Sequence, residues 1–172
     1  MKKVAIFGNA GGGKSTLSRA LAQHTGLPLH TLDKLAWLPG GVAVPPADYR
    51  RAHSQILTQE RWLIDGYGCP ETLWQRLDAA DTLIHIDLPL PLHGWQVIKR
   101  LLKGLFSAPE GWPERSPMWR STLSSYRVLL PCRRLLTPRY RAYCEQAAAT
   151  RRVYQLRSRA EIRNFLATLE PG

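Results

Sequence analysis

This 172-residue chain is short of acid and short of cysteine. It carries 13 Asp and Glu against 24 Lys and Arg. Its three cysteines, Cys69, Cys132 and Cys144, have neither paired nor metal-like spacing. That excludes a disulfide framework or a zinc ribbon, and it points to reduced thiols in a cytoplasmic setting. No apolar run approaches the roughly 18 residues of a membrane span. Met1-Lys2-Lys3 and the apolar residues after it are too short for a secretory leader and run straight into a glycine-rich stretch. Also missing are a helix-turn-helix signature, an aromatic-basic RNA motif, the Asn-Lys-x-Asp segment with which GTPases read their base, any internal repeat and any low-complexity tract. Hydrophobic residues make up 44% of the chain, so a folded core is expected. The length suits one domain over 1–172.

What is present begins at Gly8-Asn9-Ala10-Gly11-Gly12-Gly13-Lys14-Ser15-Thr16, which fits G-x-x-x-x-G-K-[ST]. Val4–Phe7 before it is a buried-strand run, and Leu17, Ala20 and Leu21 after it recur at helical spacing. The order has a physical reason. Glycines let several backbone N–H groups converge on one anion, and the helix adds its positive end. In such a loop Lys14 reaches the β/γ-phosphates of a nucleotide, and the Ser15 hydroxyl is a Mg²⁺ ligand. Gly8, Gly11, Gly12, Gly13 and Thr16 complete the phosphate cradle.

Strand and helix signals then alternate. Apolar runs at Val4–Phe7, Leu27–Leu32, Trp62–Ile64, Thr82–Leu88 and Val153–Leu156 read as strands. The first helix ends near His24, with Gly26 as its cap and Pro28 beyond. Helices are expected over Asp48–Gln59, Glu71–Leu77, Leu90–Leu102 and Met118–Leu130. Another starts at Ser158, whose spacing to Glu161 makes a capping box. Loops are expected over Pro39–Pro46 and 104–117. Apolar strands joined by helices mean an α/β fold with a parallel sheet covered on both faces.

Charge is uneven. Residues 1–93 hold nine Lys/Arg and eight Asp/Glu, whereas residues 94–172 hold fifteen and five. The basic half suits a nucleic acid or membrane surface, a set of arginines for an anionic site, or a solvated face. Ligands of open parallel sheets bind beyond the strand carboxyl ends. Asp33, Asp65 and Asp87 stand at such ends. Asp65, followed by Gly66, is the candidate for holding Mg²⁺. Asp33 is placed to take a proton from an alcohol acceptor. Asp87, close to Pro89, reads as a turn residue, and His85 as a core histidine. Trp37 and Tyr67 are candidates for stacking on an acceptor.

The P-loop, with Trp62-Leu63-Ile64-Asp65-Gly66 and Ile86-Asp87-Leu88-Pro89, resembles the adenylate kinase-like P-loop kinases. The segments His30–Gly40 and Arg157–Glu161 are similar to the bacterial branch labelled topology-modulation protein or adenylate kinase-related kinase. The resemblance implies a three-layer α/β/α P-loop NTPase fold with a five-stranded parallel sheet in order 2-3-1-4-5. It also implies a helical lid at about 100–127 and an acceptor-side segment at about 33–60. It implies ATP and Mg²⁺, with Arg100, Arg120 and Arg127 as lid arginines and Arg157 and Ser158 lying against the adenine. This chain departs from the relatives in two places. Adenylate kinases continue Asp-Gly-Phe-Pro-Arg, where Asp65-Gly66-Tyr67-Gly68-Cys69 stands here, and Lys34 replaces another AMP-binding arginine. The expected activity is phosphoryl transfer from MgATP to a nucleotide or small molecule. The competing expectation is an ATP-binding regulatory protein acting on DNA through its basic half.

Overall fold

The computed structural model describes residues 1–38, 42–92, 95, 99 and 130–169. Five of its strands form one parallel sheet. β1 (Lys3–Gly8) runs into the glycine-rich loop and α1 (Lys14–Thr25), which stops at Gly26. Next come β2 (Leu29–Thr31), the short α2 (Leu32–Ala36) and a two-stranded hairpin of β3 (Trp37–Leu38) and β4 (Val42–Ala43). After these lie α3 (Pro46–Thr58), β5 (Trp62–Asp65), α4 (Pro70–Ala79) and β6 (Thr82–Ile86). The C-terminal part holds a π-helical stretch at Cys132–Leu136, α5 (Thr137–Ala147), β7 (Arg152–Leu156) and α6 (Arg159–Ala167).

The sheet order is β2-β5-β1-β6-β7. Counted in chain order, its strands stand 2-3-1-4-5, as expected. β1, β5 and β6 are buried along their whole length apart from Lys3, which explains their near-continuous apolar sequence. Alternate residues feed two cores. Ala5, Phe7, Trp62, Ile64 and Leu83 pack with Ile56, Leu73, Leu77, Tyr140 and Cys144 of α3, α4 and α5. Val4, Ile6, Leu63, Ile84 and Leu156 pack on the other side with Leu17 and Leu21 of α1 and Phe165 of α6.

Several boundaries move from their sequence expectation. β2 keeps only Leu29–Thr31, because Leu32 turns inward to open α2. The expected loop over Pro39–Pro46 contains β4, and Pro46 starts α3 two residues before Asp48. α4 extends to Pro70–Ala79, with proline in its first turn. β6 ends at Ile86, before Leu88. Residues 90–92, 95 and 99 are helical. The rest of the Leu90–Leu102 helix, nearly all of Met118–Leu130, and the 104–117 loop lie outside the described residues.

Candidate active site

β1 delivers Gly8 against β6, where Gly8 pairs with Ile86. A Cβ at Gly8 would collide with the Ile86 carbonyl oxygen, and its φ of 137° lies where side chains are strained. The loop that follows is held by short bonds. The Ala10 amide donates to Asn9 Oδ1 at 2.8 Å, and Lys14 Nζ donates to the Asn9 carbonyl at 2.9 Å. The N–H groups of Thr16 and Leu17 both reach the Gly13 carbonyl at 3.1 Å. No side chain caps α1, and a Cβ placed on Gly13 would meet nothing within 4 Å. Among the described residues no side chain closes this helix N-terminus, which stands at the floor of the loop as an anion site requires.

Asp65 ends β5, in register with Ile6 of β1 and Thr31 of β2. It is 1% exposed. Ser18 Oγ lies 3.3 Å from Oδ2, while Oδ1 has no hydrogen-bond partner. Burial raises its pKa above the ordinary carboxylate value, and neighbouring Asp33 adds to the rise. The Lys14 ammonium and the Ser15 hydroxyl pull the other way without cancelling it. A buried carboxylate oxygen without a partner, next to a serine hydroxyl and opposite an open anion cradle, suits a hard divalent cation. Among the described residues there is no cluster of three or more His, Cys, Asp or Glu side chains that could hold a metal. A cation here would depend on Ser15, Asp65 and the ligand's own oxygens.

On the β2–β5 side, Asp33 sits in the first turn of α2. Its Oδ1 is 3.8 Å from where a Cβ on Gly66 would stand. Leu32 packs on the same glycine, which fixes α2 against the start of the Gly66–Cys69 turn. At Gly68 a Cβ would strike the Tyr49 hydroxyl, so α3 closes on the turn as well. From beneath, Arg76 of α4 donates Nη2 to the Gly66 carbonyl at 3.0 Å and to the Tyr67 carbonyl at 2.7 Å. Arg76 is 1% exposed, and its Nε and Nη1 have no partner. His53 lies close by, fully buried and lowered to about 4, first by burial and then by the Arg76 charge. Trp37 and Tyr67, the two stacking candidates, are both exposed.

On the β6–β7 side, Asp87 is not the turn residue the sequence suggested. Its side chain is 1% exposed and accepts from Arg133 Nη1 at 2.8 Å and from Arg141 Nε at 2.7 Å. Its amide donates to the Leu156 carbonyl of β7 at 2.9 Å. Burial would raise the Asp87 carboxyl, but the Arg141 hydrogen bond and the charges of His85, Arg141 and Arg133 hold it below its usual range. His85, buried in the sheet and stacked on Phe7 at 5.1 Å, is lowered to about 4 by burial. Arg157 belongs to the same neighbourhood, since its charge also acts on His85. Beyond it the capping box forms. The Glu161 amide donates to Ser158 Oγ at 3.1 Å, and the Glu161 carboxylate accepts from that hydroxyl at 3.0 Å and from the Arg157 amide at 2.9 Å. An open groove of about 610 Å³ runs from Cys144 and Glu145 past Gln155 to Arg157 and Glu161.

The structure thus brings Gly8, Gly11, Gly12, Gly13, Lys14, Ser15, Thr16, Asp33, Asp65, Arg157 and Ser158 to one end of the sheet. Arg100, Arg120 and Arg127 lie outside the described residues. Sequence reasoning missed Arg76, Arg133 and Arg141. The helix that carries Arg141 left a signal in Tyr140, Cys144 and Ala147, buried at helical spacing.

No family model matches the chain, and no curated protein matches it. Solved structures do. Shikimate kinase from Acinetobacter baumannii, in complex with shikimate, has a TM-score of 0.55 over 97% of this chain and 89% of its own, at 14% identity. An unliganded sugar kinase from Janibacter sp. covers 76% of this chain and 95% of its own at 17% identity, with a TM-score of 0.42. The shikimate kinase likeness is one of fold, and the fold is the three-layer α/β/α architecture of the P-loop kinases.

Proposed function

We propose that the chain is a kinase of one domain, transferring the γ-phosphoryl of MgATP to a small acceptor bound over Asp33. The observation that carries this reading is the pairing of an open P-loop with Asp65. The loop supplies N–H donors and Lys14 for the phosphates, and Asp65 keeps an unpartnered buried oxygen beside Ser15. Ser15 and Asp65 would hold Mg²⁺, whose contribution when bound is to neutralise charge on the phosphates. Phosphoryl transfer asks mainly for alignment and charge neutralisation. Lys14 turns from the Asn9 carbonyl to the phosphates. Arg157 and Ser158 would flank the adenine, and the family resemblance assigns Arg100, Arg120 and Arg127, which lie outside the described residues, to a lid at about 100–127.

The acceptor-side segment at about 33–60 presents a carboxylate rather than arginines. Arg50 pairs with Glu71, Arg51 with Asp48, and Arg76 is turned inward to backbone carbonyls. That balance favours a hydroxyl acceptor, with Asp33 accepting its proton, over the AMP used by adenylate kinases. The adenylate kinase-related branch suggested by 30–40 and 157–161 fits the same picture. A DNA role is the less favoured reading, because Arg133 and Arg141 are tied to Asp87 and Arg151 to backbone carbonyls of α4.

The test is an acceptor screen by ADP release, with MgATP and a panel of nucleotides, sugars and small alcohols. Transfer to an alcohol is expected, and Asp33→Asn should lower it by about 10²–10⁴. No transfer to any acceptor, together with tight DNA binding at physiological salt, would overturn the kinase reading.

A further inference from the structure

Eight residues separate Arg133 from Arg141, and on a continuous α-helix that spacing points two side chains about 80° apart. Seven residues would leave them only about 20° apart. The π-helical stretch Cys132–Leu136 supplies the difference. The Thr137 amide donates to the Cys132 carbonyl, five residues back, so one extra residue is absorbed in a single wide turn. Both guanidinium groups then face the same side, and both reach Asp87.

Asp87 stands directly beside the phosphate cradle. It follows Ile86, the residue paired with Gly8 at the mouth of the loop. Cys132, next to Arg133, is close enough to Lys14 for the lysine charge to act on its thiol. The two arginines are also poorly spent as simple anchors. α5 is already fastened by Tyr140 and Cys144 in the core, by Arg139 stacked over Trp74 at 5.1 Å, and by the Tyr143–Asp78 hydrogen bond. Arg133 engages Asp87 through Nη1 and Arg141 through Nε, with side chains 32% and 42% exposed. Each guanidinium keeps most of its five N–H donors for a second acceptor.

We propose that Asp87 is a positioning residue, and that with the π-turn it holds Arg133 and Arg141 as a fixed pair of cations for the terminal phosphate of the bound nucleotide. This inference rests on the kinase reading. The carboxylate fixes where the two guanidinium groups sit before nucleotide arrives, so little reorganisation is left at the moment of transfer. Arginine suits the task because its planar fork serves two acceptors at once.

The experiment uses the full chain and compares binding of MgADP with that of a non-hydrolysable Mg–ATP analogue, alongside ADP release at saturating MgATP. Wild type should prefer the triphosphate. Asp87→Asn, close in shape but uncharged, should bind MgADP within about twofold of wild type. It should lose the triphosphate preference and fall about 10²-fold in kcat per folded molecule. Asp87→Glu should recover part of both. If Asp87→Asn does not fold, Arg133→Gln and Arg141→Gln carry the same test from partly exposed positions. Wild-type preference and kcat in these variants would overturn the positioning role while leaving the kinase reading intact. Failure of wild type to bind either nucleotide would overturn both.

Discussion

The two flanks of Lys14 are built on opposite plans. On the β6–β7 flank the buried charge is matched, since the Asp87 carboxylate lies between two guanidinium groups, although His85 Nδ1 is buried there without a partner. On the β2–β5 flank polar groups are buried without protein partners: Arg76 Nε and Nη1, both ring nitrogens of His53, the Tyr49 hydroxyl and Asp65 Oδ1. A matched buried pair is rigid before any ligand comes, whereas an unmatched one holds its groups at a cost that a ligand can relieve.

The comparison breaks or sharpens through substitutions. Lys14→Met removes the cation common to both flanks and should reduce ADP release by about a thousandfold or more, with any acceptor. Arg76→Met loosens the Gly66–Tyr67 carbonyls and should act on one flank only. The acceptor KM should rise about tenfold, by a loss near 1.4 kcal/mol, with the ATP KM unchanged. An equal rise in both would show that the flanks are not independent.

Asp65→Asn should separate stability from function. Because burial raises this carboxyl, its ionisation disfavours the fold as the pH climbs above the ordinary carboxylate range, so the ligand-free protein at neutral pH carries that cost. The amide should melt higher, by roughly 2–4 °C if the gain is about 1 kcal/mol, and show no Mg²⁺-dependent transfer.

Last is a pH effect with one histidine on each flank, which leaves the protein at neutral pH untouched. His53 and His85 are both lowered to about 4, chiefly by burial. For a base lowered on folding, the stability it lends is complete above its unfolded value of about 6.5 and is lost as the pH falls towards about 4. Each should contribute up to about 1.4 kcal/mol per pH unit to the slope of unfolding free energy in that window. His53→Gln and His85→Gln should each flatten it by one proton.

The frame of this molecule was written in runs that sequence periodicity reads well. The buried strands at 4–7, 62–64 and 82–86 stand out because both of their faces are apolar, and the Gly8–Thr16 loop carries its own geometry. What escaped was set by tertiary contact. α2 spans five residues and depends on Leu32 finding Gly66. β3 and β4 are two residues each. Arg133 and Arg141 were hidden because a π-turn alters the period by which helix faces are counted, and Pro131 and Pro138 interrupt the apolar pattern around them. Arg76 lies inside the expected Glu71–Leu77 helix, where nothing in its sequence setting marks it as buried. Only the fold shows it turned under the neighbouring turn.

Two of the helices that begin at this end of the sheet, α1 and α6, have very different doors. α6 is shut by its own sequence, because Ser158 and Glu161 occupy each other and the Arg157 amide. α1 has no such latch. Of these two helix ends, the capping box closes one to an anion and leaves the other to receive it.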